Sequence, residues 1–303
     1  MTAPAHADRS ATARLCVLAS SSSGNCSVLE VRPTDGPPRS ILLDAGLSPR
    51  RTAAELIALG IDPASVHSIV LTHLDHDHCN NGWSMRSAAK YFRDELTICM
   101  HRRHAGRAER AGLLFGRTQI FDATFTAAGL TVRPILQSHD ALGVVAFRID
   151  LPAEANRAPR SLGNATDLGH ATPKLIDHLR GVQVLAIESN YCPDLQRRSG
   201  RPAFLQQRIT GGSVHLSNQQ CAEAVELIAP TEHVVLLHLS RQCNRPDLAA
   251  GPHAGRPYRL TTALPDGPTG WIDLVWPGAP TPARRFTEIE ARPVARQRLL
   301  FPA

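Results

Sequence analysis

The chain has 303 residues, enough for one domain with a sizeable core, and its 43% hydrophobic and 20% charged residues are an ordinary globular balance. No apolar run approaches a membrane span, and residues 1–13 lack the apolar stretch of a secretory signal, so a cytoplasmic protein is expected. Seven cysteines without a Cys-x-x-Cys pair read as free thiols, and a net charge of +6 with pI near 9.2 is compatible with a polyanionic partner without requiring one.

Residues 14–19 and 27–31 read as buried strands around Ser20-Ser-Ser-Ser-Gly-Asn25, a small polar turn that makes them a hairpin. Ile41-Leu-Leu is a third strand, ending in Asp44 and Gly46. Residues 50–60 have helical periodicity and stop at Gly60, a C-cap signal. The apolar run Ile69–Leu71 is a fourth strand. It breaks at once into Thr72-His-Leu-Asp-His-Asp-His78. In extended chain His73, Asp75 and Asp77 point to one side, and His78 can join them from the following turn. Imidazoles and carboxylates crowded beside a core are costly unless something neutralises them, and a divalent metal does so with these ligand types. A solvated charged loop is the competing reading; a register using His76 fits the spacing less well. Cys79 reads as packing rather than as a ligand.

Residues 80–94 read as a helix and 96–100 as a strand. The basic stretch 101–112 is helix-like; its His101 and His104 could be ligands, but they read rather as surface residues, solvated or facing phosphate. Residues 130–136 and 143–149 make a hairpin whose turn carries His139. The segment 161–167 ends in Asp167, 174–179 is a short helix, and 182–187 is a buried strand ending in Glu188. Arg197, Arg198, Arg201 and Arg208 form a second basic cluster. Val214-His-Leu-Ser-Asn218 leads into an amphipathic helix through Ala229, with Ser217 or Asn218 suited to cap it. The strand 233–237 ends in His238-Leu-Ser240, and 258–263 and 271–275 are closing strands. Ligand-type residues thus recur at four strand ends, the arrangement by which α/β folds place chemistry at one sheet edge.

The central run resembles the His-x-His-x-Asp-His motif of the metallo-β-lactamase superfamily, with Asp75 where the second His normally stands, a change found in some branches. With Leu18–Asn25, Leu42–Gly46, Ser138–Ala141, Thr166–Gly169, Ile187–Asn190, Val214–Asn218 and His238–Ser240 followed by Asn244, the chain is similar to the YycJ/WalJ-like branch. Val214 departs from that branch, which usually has Gly there.

The resemblance implies an α/β fold, a four-layer αββα sandwich over residues 14–277, flanked by a flexible segment 1–13 and a Pro/Arg-rich tail 278–303. It implies two divalent ions, Zn or Mn: one on His73, Asp75 and His139, the other on Asp77, His78 and His238, with Asp167 bridging and Asp44 orienting ligands from behind. Asp77 would orient the nucleophile, and His215 would contact phosphate or the leaving oxygen; a structural His at the helix start is the alternative for His215. Arg208, Asn218 and Ser240 are candidate substrate contacts. The implied activity is 5′-to-3′ exonuclease action on double-stranded DNA, supported modestly by the two arginine clusters. Other readings are a small-molecule cyclic phosphodiesterase or an ester/thioester hydrolase of the same superfamily, and a binding module with a degenerate site. The end of the chain, Gln297-Arg-Leu-Leu-Phe301, looks like a Gln-x-x-Leu-Phe peptide that docks on a sliding clamp through Leu300 and Phe301.

Overall fold

The structure is a computed structural model that describes residues 12–33, 36–83, 85–113, 117–152, 160–202, 206–207, 210–211 and 214–274. Its strands are β1 (Thr12–Ala19), β2 (Cys26–Arg32), β3 (Arg39–Leu43), β4 (Val66–Val70), β5 (Thr97–His101), β6 (Arg117–Phe121), β7 (Phe125–Ala127), β8 (Leu130–Gln137), β9 (Val144–Asp150), β10 (Ser161–Ala165), β11 (Val184–Glu188), β12 (His233–Leu237), β13 (Arg259–Thr262) and β14 (Ile272–Leu274). They form two sheets, in the orders β14-β1-β2-β3-β4-β5-β6 and β13-β12-β11-β10-β9-β8-β7.

Both faces of each sheet are covered, and the sequence shows it as continuous apolar runs rather than half-polar alternation. Along β1, Leu15 and Val17 point into the core between the sheets, while Cys16 and Leu18 point to the outer core. On the other sheet Val184 and Ala186 face the shared core, while Leu185 and Ile187 face the opposite outer layer. The outer layers are helical. Helix α1 (Pro49–Ala58) buries Ala53 and Leu56 against the first sheet. Helices α4 (Pro173–Leu179) and α6 (Asn218–Ile228), with the short α5 (Pro193–Arg197) between them in the chain, lie on the other side, where Leu175, Leu179, Val225 and Ile228 are buried against the second sheet. This is the expected four-layer sandwich.

Local signals explain several boundaries. Ser217 caps α6 with a complete capping box, its hydroxyl accepting from the Gln220 amide. Gly60, with φ +74°, follows α1 as expected.

Two expectations need correction. The helix expected over 80–94 is reduced to α2 (Met85–Ala88), because Gly82 and Trp83 sit in a turn whose indole donates to the Leu47 carbonyl at 2.7 Å. Strands β6 and β7 were not foreseen. Only Phe121 of β6 is buried, so the apolar pattern that reveals a strand is missing.

The parallel runs β3-β4-β5-β6 and β10-β11-β12-β13 bring the carboxyl ends of β3, β4, β10, β11 and β12 to one edge. One close approach holds that edge together. A Cβ on Gly46 would lie 1.9 Å from the Asp77 carbonyl oxygen and 2.5 Å from the Asn25 amide, which donates to that same carbonyl at 2.7 Å. Gly46→Ala is therefore expected to destabilise the fold by at least about 2 kcal/mol and to displace Asp77. Thermal melting together with metal content checks this; a variant that melts and binds metal like the parent would contradict it.

Candidate metal centre

Strand β3 ends in the core, and the next residue, Asp44, is buried beside the end of β4. Its Oδ1 accepts hydrogen bonds from the Thr72 amide at 2.8 Å and the Thr72 hydroxyl at 2.9 Å. Its Oδ2 accepts from His78 Nδ1 at 2.7 Å. The other nitrogen of His78 is 2.9 Å from Asp167 Oδ2. Past the end of β12, His238 Nε2 donates to Asp77 Oδ2 at 3.0 Å and lies 3.7 Å from Asp167 Oδ1. On the other side His73 Nε2 and His139 Nε2 lie 3.8 and 3.9 Å from Asp75 Oδ2.

Glu188, the last residue of β11, is fully buried behind these groups. It accepts from His215 Nδ1 at 2.6 Å and from the amides of Leu168 and Leu216 at 2.8 and 3.3 Å. The Ser20–Asn25 turn also serves the site. Ser20 Oγ accepts from the His238 amide at 2.7 Å and donates to Asn25 Oδ1 at 2.8 Å.

The charges are strongly coupled. Burial alone would lower His238, but the carboxylates of Asp167, Asp77 and Glu188 raise it to about 10. Burial is likewise overcome at His78 by Asp167 and Asp44, which hold it well above the usual imidazole value. Burial would raise Asp77; the His238 hydrogen bond and the His78 and His238 charges bring it to about 2. Asp167 is held well below the carboxylate range despite its burial, by His238 and His78. His73 is different: burial and the neighbouring His78 keep it neutral, the form in which imidazole ligates a metal.

The backbone carries its own mark. Asp44, Asp167 and His238, all just past strand ends, have left-handed φ of 61°, 54° and 57°. Such conformations cost free energy in non-glycine residues and gather at functional sites.

The donor set fits divalent metal. Ligand atoms of His73, Asp75 and His139 lie within 4.8 Å of one another, as do those of Asp77, His78 and His238, those of His73, His78 and Asp167, and those of Asp167, Glu188, His215 and His238. His73 Nε2 is buried without a hydrogen-bond partner, although it faces the others, as expected of an atom reserved for a ligand. Cys79 is buried, belongs to none of these groups, and its thiol is pushed up to about 12 by burial.

The structure thus brings together His73, Asp75, Asp77, His78, His139, Asp167, His215 and His238, with Asp44 behind them. His76 is exposed and belongs to none of the groups. Asn218 and Ser240 are buried nearby. Asn218 Oδ1 accepts from Ser189 Oγ and Asn244 Nδ2, both at 2.8 Å, and the Ser240 amide donates to the Asn190 carbonyl at 2.8 Å. Asn190 in turn donates to the His238 carbonyl at 2.8 Å. Arg208, Gln297, Leu300 and Phe301 lie outside the described residues.

His104 requires correction: it is not at the surface but buried, with Nε2 2.9 Å from the Gly143 carbonyl, while His101 caps helix α3 (Arg102–Arg110) by accepting from the Arg103 amide. Sequence reasoning assigned no role to Glu188, although an acidic residue closing an apolar strand was a signal. Arg107, in the basic stretch 101–112, donates to Asp75 at 3.0 Å, a contact that no local signal announces.

Residues 39–239 match the family model for the β-lactamase superfamily domain. The chain is 27% identical over 243 residues to the exodeoxyribonuclease WalJ of Streptococcus pneumoniae, covering 77% of this chain and 84% of that protein. It is 26% identical over 239 residues to the exodeoxyribonuclease YycJ of Bacillus anthracis, with the same coverages. Among solved structures it is similar to the metallo-β-lactamase fold protein YhfI of Bacillus subtilis, with TM-score 0.62 and 14% identity over 85% of this chain and 99% of that one.

Asp44→Asn keeps an acceptor for Thr72 but removes the anion behind His78. It is expected to weaken divalent-metal affinity roughly 10- to 100-fold with the fold retained. Competition against a chromogenic chelator measures this; unchanged affinity would show that Asp44 does not support the ligands.

Proposed function

The chain belongs to the β-lactamase superfamily and is a metallo-hydrolase, and from that premise we propose that it hydrolyses phosphodiester bonds of DNA as a 5′-to-3′ exonuclease. The proposal gives it two divalent ions, Zn²⁺ or Mn²⁺. His73, Asp75 and His139 would hold one, Asp77, His78 and His238 the other, and Asp167 would reach both. Such ions acidify water and neutralise phosphoryl oxygens. The carboxylate of Asp75 in place of an imidazole favours a harder ion such as Mn²⁺ in the first position.

The observation that carries the reading is the His215–Glu188 pair. His215 is partly exposed, and its ring centroid lies 5.3 Å from that of His238 and 6.0 Å from that of His139, so it borders both ligand groups. Glu188 fixes Nδ1, which leaves Nε2 to meet a phosphate oxygen or to protonate a leaving oxygen. Asp77, unprotonated at neutral pH, can orient the attacking water or take its proton. The relatives named exodeoxyribonucleases support DNA as the substrate. Exposed Arg197 and Arg198 offer phosphate contacts. The Gln297–Phe301 peptide supports docking on a sliding clamp, with Leu300 and Phe301 as apolar anchors.

Metal-stripped protein is expected to degrade end-labelled duplex DNA stepwise only after Mn²⁺ or Zn²⁺ is added, and Asp167→Ala to abolish this. His215→Ala should lower kcat by about 10²- to 10⁴-fold while metal content stays at the parental level. Full metal loading without cleavage of DNA would overturn the nuclease reading and point to a small phosphodiester or thioester. For the tail, Leu300→Ala with Phe301→Ala should abolish clamp binding in a pull-down; binding that survives both changes would remove the clamp from the proposal.

A further inference from the structure

Asp75 stands where the motif it resembles has an imidazole, so the first ligand group carries a negative charge that a neutral ring would not bring. Its two oxygens have separate neighbours. Oδ2 faces His73 Nε2 and His139 Nε2 at 3.8 and 3.9 Å, while Oδ1 is 3.0 Å from Arg107 Nη1. Asp75 lies in the turn after β4 with its side chain 38% exposed, so packing alone does not fix its rotamer.

Arg107 comes from the last turn of α3, and this helix is anchored. Ala108 is fully buried in the outer core, and His104 binds the Gly143 carbonyl in the β8–β9 turn. That turn carries His139 and Asp140. Asp140 is itself fixed by the Leu142 and Gly143 amides, each donating to Oδ1 at 2.8 Å, and its Oδ2 lies 3.8 Å from Arg107 Nη1. One guanidinium therefore ties together α3, the motif turn and the turn that supplies the third ligand.

We infer that Arg107 is the positioning residue for Asp75: it grips one carboxylate oxygen so that the other faces His73 and His139, and it offsets the charge introduced at that position. The pair makes a carboxylate workable where an imidazole would need no such partner. Arg107 is 40% exposed, so water screens its repulsion of a bound cation, whereas its hold on Oδ1 is a direct contact. The inference rests on reading His73, Asp75 and His139 as an ion site and is independent of the substrate.

The test titrates the metal-stripped full chain with Mn²⁺ and Zn²⁺ against a competing chelator. Arg107→Ala should weaken the affected ion roughly 10- to 100-fold, and Arg107→Lys, which keeps the charge but not the planar fork, should recover part of the loss. In an Asp75→His background the same Arg107→Ala change should alter affinity by less than about threefold, because the partner is gone. Melting curves of the metal-free variants control for folding. Unchanged or tighter metal binding in Arg107→Ala, or an equal loss in the Asp75→His background, would overturn the inference. If His73→Ala leaves the titration unaltered, the ion-site reading itself fails, an outcome separable from the failure of the role of Arg107.

Discussion

Asp44 and Asp167 grip the two nitrogens of one fully buried imidazole, that of His78, at 2.7 and 2.9 Å. Buried ions are tolerated only when paired and hydrogen-bonded, and removing one partner of such a pair costs about 3–5 kcal/mol. Each carboxylate has further partners: Thr72 satisfies Asp44, and His238 shares Asp167 with His78. The raised imidazoles and lowered carboxylates are two aspects of this pairing. In this state the protons on His78 and His238 occupy positions that a divalent ion would take, so ion binding and proton release are linked at the same nitrogens.

That charge sits at the edge because of strand direction. Strands with mostly apolar residues on both faces leave the His and Asp groups of the site to the segments just past their ends. Parallel pairing of β3 with β4 and of β10 with β11 and β12 puts those ends on one side. At Asp44, Asp167 and His238 the chain turns out of its strand through a left-handed residue. Glycine would adopt that conformation without strain but would bring no carboxylate or imidazole. Side-chain chemistry has been kept at the cost of backbone strain.

Much of this was legible from sequence. Apolar runs announced the doubly covered strands, and the spacing within Thr72–His78 announced a cluster of ligand-type side chains. The Ser217 cap was visible because capping is local. What escaped is what burial and distant pairing decide. His104 lies in a basic run, and nothing local says that its helix packs it against the β8–β9 turn. Arg107 looks like its neighbouring arginines until the fold brings Asp75, 32 positions earlier, alongside it. Glu188 was quoted within a motif without a role, since its partner His215 lies 27 positions on. The helix expected over 80–94 failed because the Trp83 indole is held by the Leu47 carbonyl, a long-range contact that overrides local propensity.

The two ligand groups are built unequally. His78 and His238 are themselves at most 2% exposed, and each of their ring nitrogens has a carboxylate beside it. Around Asp75 the carboxylate is 38% exposed, His73 Nε2 has no hydrogen-bond partner, and the clamp is a half-exposed arginine. His215 is partly exposed, and its ring lies 6.0 Å from that of His139. Among the described residues, the exposed part of Asp75 and the partly exposed His215 make this the more accessible side of the centre. The deep group can then serve as a fixed electrostatic anchor while the shallow one adjusts, and it is at the shallow one that this chain exchanges an imidazole for a carboxylate held by Arg107.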